Sequence, residues 1–186
     1  WTLRVERGQG ANLTRLDTDI HVGTHVEGSL HSFTEGVSID QLPLSVMVGR
    51  SAVIYLPEVD AIGAKDLETV EIPKGTTRLL IRTRNSEWWR SSEEGKFRED
   101  FVGLTPDGAQ CVVDHGVKLV GIDYLSIARY GDGPAVHDIL FKAGVTIIEG
   151  LNLMAAPAGA YELICLPLKL TGREAAPARA VLRPLP

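Results

Sequence analysis

The sequence predicts an α/β protein, a single compact domain built on a mixed β-sheet. Apolar, β-branched runs alternate along the chain with two well-capped helical segments. Several of those runs are hydrophobic almost without interruption, as strands covered on both faces are. At 186 residues the chain is long enough to bury one substantial core. It shows no internal repeat, low-complexity tract or linker, so the domain is read as spanning residues 1–186.

Taken in order, Leu16–Ile20 is read as a short strand leading into a histidine-rich bend. Further strands follow at Ser51–Leu56, Arg78–Thr83, Lys118–Asp123, Val145–Glu149 and Tyr161–Leu170. A weaker helix covers Gly63 to Leu67. A firmer one starts at Thr105, whose hydroxyl suits an N-cap. Pro106 takes its first turn, Asp107 complements the helix dipole and Gly116 closes the segment. Another opens at Pro134, runs to Ala143 and stops at Gly144. The polar excursion from Asn85 to Asp100 reads either as a flap over a site or as a solvated loop.

Composition removes several classes of function. The net charge is −5, with no basic block and no aromatic residues interleaved with cations, so nucleic acid is not expected as a partner. No apolar run approaches the roughly 20 residues that span a bilayer. Hydrophobic residues make up 44% and charged residues 23%, with mean hydropathy +0.04, as in ordinary water-soluble domains. Cys111 and Cys165 are far apart and lack metal-site or redox spacing. Cys165, inside Leu163-Ile164-Cys165-Leu166, reads as a buried structural thiol, and a reducing cytoplasm is the expected compartment. Trp1 is no translation start, so a preceding segment is expected, although WTLRVERGQG does not resemble a signal peptide.

Chemistry concentrates in His21-Val22-Gly23-Thr24-His25-Val26-Glu27-Gly28-Ser29-Leu30-His31, which carries three of the five histidines and a carboxylate. Imidazole and carboxylate donors suit a borderline divalent ion such as zinc or manganese. On a helix His21 and His25 share a face, but Glu27 points away. On a flat strand the end positions lie about 33 Å apart at roughly 3.3 Å per residue. The cluster therefore converges only if the chain bends near Gly23 and Gly28, both suited to sharp turns. A His-x3-His pair alone is a weak signal; the carboxylate and glycines at these offsets favour a metal. His137 and Glu149 are distant candidates, since a carboxylate at the tip of a buried strand is costly unless paired or coordinated. A lone strand-end glutamate more ordinarily faces water.

HVGTHVEGSLH resembles the H-x-G-T-H-x-D-x-P-x-H signature of the cyclase family of metal-dependent hydrolases, which includes bacterial kynurenine formamidase (arylformamidase) and isatin hydrolase. Downstream, Gly121-Ile122-Asp123 with Ser126 resembles the family's G-x-D-x-x-S segment. His137 stands twelve residues before Glu149, as the family's second pair of ligands does. Leu166-Pro167-Leu168-Lys169-Leu170 followed by Ala176-Pro177-Ala178-Arg179-Ala180 resembles its C-terminal signature. Glu27 stands where the family has Asp, and Gly28-Ser29 where it has Ala-Pro.

The resemblance implies a swivelling β/β/α domain, a homodimer or homotetramer, and one or two divalent ions per subunit. His21, His25 and Glu27 would hold one ion; Glu27, His137 and Glu149 would hold a second. His31 would stand free as general acid or base, suited to a group titrating near neutrality. The implied reaction is hydrolysis of a C–N bond in a small carbonyl substrate, as in N-formylkynurenine giving kynurenine and formate. Isatin-type cyclic-amide hydrolysis is an alternative, and a metal-binding protein without catalysis is another. Retention of His31 argues against the last.

Trp88, Trp89 and Phe33, with Trp1, are candidates for an aromatic wall facing a planar substrate; equally, adjacent tryptophans anchor a loop or a subunit contact. His115 reads as a cation at a helix C-terminus rather than a ligand. Arg82, Arg84 and Arg90 read as solvated side chains, with a grip on a substrate carboxylate as the alternative.

Overall fold

A computed structural model describes residues 1–90 and 97–185. Among them the strands are β1 (His25–Glu27), β2 (Val48–Leu56), β3 (Arg78–Thr83), β4 (Leu119–Ile122), β5 (Thr146–Glu149), β6 (Gly159–Pro167) and β7 (Ala175–Pro184). They close into a barrel in the order β1-β5-β4-β3-β2-β6-β7. From β2 to β5 neighbours run parallel; β1, β6 and β7 pair antiparallel with theirs. The mixed sheet read from the sequence is therefore present, and closure is the feature the apolar runs did not announce.

The strand alternation sorts side chains into two cores. Val26, Val53, Leu80, Leu119, Ile148 and Leu163 fill the barrel interior. Their strand neighbours, among them Ile54, Leu79, Ile81, Val120, Ile122 and Ile147, face outward into the second core under the helices. Double coverage is why β4 reads as an unbroken apolar run. Gly121 lies on the inward face of β4, where a Cβ would stand 2.7 Å from both Leu80 and Leu151.

α1 (Leu44–Met47) packs Met47 into the barrel core, and the outer layer contains α2 (Ala64–Glu68), α3 (Pro106–Asp114) and α4 (Ala135–Lys142). The expected caps are in place at α3: Thr105 Oγ1 accepts from Gly108 N–H at 3.4 Å, and Gly116 takes the left-handed conformation past the helix end. His115 caps the C-terminus, its Nδ1 2.8 Å from the Cys111 carbonyl. Cys165 is fully buried inside the barrel, where loss of solvation pushes its thiol up to about 12. No helix of the described residues is long and apolar enough to cross a membrane.

One strand assignment needs correction, and two strands escape the sequence reading, the three-residue β1 and β7. Leu16–Ile20 forms no strand and is largely exposed; its alternation finds no sheet edge, because both edges of β1 are taken by β5 and β7. Conversely, β7 was not legible, since Pro177 and a run of small residues argue against a strand. Pro177 is tolerated because its ring replaces a donor while its carbonyl still accepts from Leu168 N–H at 3.0 Å.

Candidate metal centre

Strand β1 places His25 and Glu27 two residues apart, so both side chains leave the same face, opposite inward-facing Val26. That face points to the helical layer. The antiparallel register sets His25 directly across from Glu149 and Glu27 across from Ile147. α4 covers this spot and brings in His137. Strand register and α4 together thus assemble a pair of carboxylates and two imidazoles from segments more than a hundred residues apart.

Turns complete the set. Gly23, with φ +58°, reverses the chain so that His21 folds back over the strand. Gly28 opens the short 3-10 turn Ser29–His31, which swings His31 to the same place. A Cβ on Gly28 would sit 2.4 Å from the Val37 carbonyl, so the turn needs glycine there. Both expected bends are real, although the strand follows the first bend rather than leading into it.

The distances are short. His21 Nδ1 lies 2.7 Å from Glu27 Oε1. His25 Nε2 stands 3.3 Å from Glu27 Oε1 and 3.4 Å from Glu149 Oε2. His137 Nε2 stands 3.8 Å from Glu27 Oε2 and 3.4 Å from Glu149 Oε1. The rings of His21 and His31 are 4.6 Å apart, and those of His31 and His137 are 5.6 Å apart. Donor atoms of two groups lie within 4.8 Å of one another: His25, Glu27 and Glu149, all buried, and His21, Glu27 and His31, which open outward. Glu27 belongs to both.

The electrostatics are those of anions packed against imidazoles. Burial opposes charge on His25, but hydrogen bonds to Glu149 and Glu27 overcome it and push the ring up to about 10. His21 is raised by its hydrogen bond to Glu27. His137 is raised as well, contact with Glu149 outweighing burial. Glu27 loses solvation, yet its hydrogen bonds to His21 and His25 hold it far below the usual carboxylate range. Among the described residues its Oε2 is nevertheless buried without a hydrogen bond, with His137 Nε2 3.8 Å away. A buried ionised oxygen without a hydrogen bond is costly unless a cation meets it closely. The donor set therefore fits a divalent ion, with imidazole and carboxylate the ligand types zinc and manganese accept.

The "Putative cyclase" family model matches residues 2–129. The chain belongs to the cyclase family. Cyclase-like protein 1 of Oryza sativa subsp. japonica is 39% identical over 180 residues, covering 92% of this chain and 64% of the relative, so the chain spans under two thirds of that protein. Kynurenine formamidase of Bacillus cereus is 35% identical over 184 residues, covering 97% of this chain and 84% of the enzyme. Among solved structures, one described as a potential metal-dependent hydrolase with cyclase activity superposes with a TM-score of 0.82 at 38% identity, covering 90% of this chain and 81% of the other. The barrel and its outer helices are thus the cyclase fold.

Around this cyclase centre the other candidate residues take different places. Trp89 donates its indole N–H to the Asp123 carbonyl at 3.2 Å, and Trp88 meets Tyr124 edge-on at 5.2 Å. Both belong to the 3-10 turn Arg84–Arg90 at the end of β3. Asp123 holds that turn: its buried carboxylate accepts from Thr83 N–H, Ser86 N–H and the Thr83 and Ser86 hydroxyls at 2.6–3.0 Å. Burial raises Asp123 despite those donors. Beyond Arg84–Arg90, residues 91–96 of the expected flap lie outside the described residues, as does the Arg90 side chain. Phe33 packs half-buried against the helical core, 5.8 Å from Lys142 Nζ, while Trp1 is exposed on the N-terminal arm. Arg82 lies over Tyr55, and Arg84 bonds the Val59 carbonyl and Asp60.

Three contacts at the site were not legible in the sequence. Glu174 Oε1 lies 3.6 Å from His21 Nε2. The Phe141 ring flanks both His31, at 6.4 Å, and His137, at 6.0 Å. Ile127 N–H donates to Glu149 Oε1 at 2.7 Å. Only the i+4 spacing of His137 and Phe141 on one helix gave any prior signal.

Proposed function

We propose that the protein is a metal-dependent hydrolase that cleaves a non-peptide C–N bond in a small formamide or amide, with an aryl formamide such as N-formylkynurenine as the reference substrate. The observation that carries this reading is Glu27 Oε2, buried and without a hydrogen bond among the described residues, amid imidazoles from two turns and a helix. His21, His25, Glu27, His137 and Glu149 supply the ligands, and zinc or manganese is the ion their chemistry favours. Because Glu27 faces His21 and His25 through Oε1 and His137 through Oε2, the ligand set has room for one or two ions.

When bound, such an ion polarises a carbonyl oxygen and lowers the pKa of its water from 15.7 to about 7. The protein's own groups do the rest. Glu27 and Glu149 offset the positive charge, and Ile127 N–H fixes the Glu149 carboxylate. His25 Nδ1 sits 2.9 Å from the Gly23 carbonyl, which leaves Nε2 turned to the two carboxylates. His31 is exposed at the mouth, beside the donor group it shares with His21. It takes the proton of the attacking water or returns one to the leaving nitrogen. Trp89, held by the Asp123 carbonyl, and Trp88, which meets Tyr124 and carries the Arg98 guanidinium over its ring at 4.4 Å, are the aromatic groups offered to an aryl substrate. The working assembly is a homo-oligomer, and two cysteines unpaired with each other fit a reducing cytoplasm.

The test strips the full chain of metal with a chelator, restores Zn(II) or Mn(II), and follows formate release from N-formylkynurenine and simple aryl formamides. Hydrolysis that vanishes with the metal and returns with it supports the reading. Stoichiometric metal binding without hydrolysis of any formamide or cyclic amide would overturn it in favour of a binding protein.

A further inference from the structure

We propose that Glu174 is the positioning residue that fixes the tautomer of His21, so that Nδ1 is the nitrogen presented to the ion. The inference rests on the metal reading above. His21 is oriented with Nδ1 toward Glu27, at 2.7 Å, and Nε2 toward Glu174, at 3.6 Å. A neutral imidazole carries one N–H and one lone pair. Whichever nitrogen donates to an outer carboxylate leaves the other free to ligate, and such outer partners orient metal-bound histidines.

The carboxylate is well placed for this task. Glu174 immediately precedes β7, and its carbonyl accepts from Gly28 N–H at 2.8 Å. The next residue, Ala175, lies across from Glu27 in the β1–β7 pairing. The backbone that carries Glu174 is therefore tied to the strand that carries Glu27. Among the described residues no arginine or lysine pairs with the Glu174 carboxylate; His21 is the partner it faces. His25 shows the same logic in mirror form. There the Gly23 carbonyl meets Nδ1 at 2.9 Å and Nε2 turns to Glu27 and Glu149. The buried histidine is held by a backbone carbonyl; the half-exposed one faces a carboxylate across the barrel seam at 3.6 Å, just beyond hydrogen-bond length.

The experiment compares wild type, Glu174→Ala and Glu174→Gln as full chains, titrated with Zn(II) against a chromophoric chelator. Loss of the outer carboxylate is expected to weaken Zn(II) binding by about 10–100-fold. Glu174→Gln, whose amide oxygen still accepts from Nε2–H, should recover part of that loss. The melting temperature of the metal-free chains should stay unchanged, since the anchoring bond uses the backbone. Imidazole nitrogen NMR on the zinc-loaded wild type should show His21 protonated at Nε2 and ligating through Nδ1, with a mixed or reversed pattern in Glu174→Ala. Equal affinity and an unaltered His21 spectrum in Glu174→Ala would overturn the proposal while leaving the metal reading intact. Loss of a whole equivalent of Zn(II) would overturn it too, by making Glu174 a ligand. A wild-type chain that binds neither Zn(II) nor Mn(II) would bring down the metal reading itself.

Discussion

The two halves of the centre share Glu27 but are built by different physics. His25, Glu27 and Glu149 are buried and set by the register of β1 against β5, so each side chain is placed by backbone hydrogen bonds. His21 and His31 sit on glycine-containing turns and open to solvent. The buried half is suited to holding a cation rigidly, because its donors have few alternatives. The open half is suited to admitting substrate and moving protons, because His31 reaches water. Rigidity and access are divided between sheet and turns.

Breaking the buried half should have the largest effect. Glu149→Ala and His25→Ala are each expected to lose both metal and turnover, as read by metal analysis and formate release. In the open half, His31→Ala should keep metal but lose about 10²–10⁴-fold in kcat, the usual range for a missing general acid or base. Near-normal turnover in that variant would remove His31 from the role.

The hinge between the halves is next. Thr24 Oγ1 donates to the Gly150 carbonyl at 2.7 Å, and Gly150 takes φ +69°. A Cβ there would stand 2.2 Å from the Gly23 carbonyl. Gly150→Ala should therefore destabilise the metal-free chain by about 2–3 kcal/mol in urea denaturation, through left-handed strain and the clash.

The pH dependence sharpens the same contrast. In the metal-free chain His25 titrates near 10 when folded against an ordinary value of 6.5. A raised value gives stability that is complete below about 6.5 and fades as pH climbs through about 10. Glu27, held low, contributes above its ordinary 4.5 and loses that contribution as pH falls. Melts in chelator should thus decline from pH 6.5 toward pH 10, while Zn(II) affinity rises over the same span as His25 sheds its proton. The smallest effect belongs to Trp88→Ala, which should raise KM for an aryl formamide with kcat nearly unchanged.

Sequence legibility followed the same division. The strands at Arg78–Thr83 and around Val53, Val120 and Ile148 were visible because double burial writes a dense apolar, β-branched stretch. Thr105, Pro106 and Gly144 marked helix ends through local chemistry that tertiary contacts did not override. The metal candidates were visible as a dense motif, and the resemblance tied His137 and Glu149 to it. What escaped was set by partners far along the chain. β1 is three residues long and polar on one face, so only pairing with β5 and β7 makes it a strand. β7 hides behind Pro177 and alanines. Glu174 is an unremarkable loop residue until barrel closure carries it to His21. No local pattern encodes that meeting.

The central claim is that β1, β5, α4 and two turns converge on a cation at Glu27. Crystals of the zinc- or manganese-loaded chain, with anomalous data collected at the metal edge, test it most directly. The account expects a strong peak about 2.0–2.2 Å from a Glu27 oxygen and from imidazole nitrogens of the flanking histidines. A fully loaded sample whose anomalous density lies elsewhere, with those side chains bonded only to each other, would contradict it.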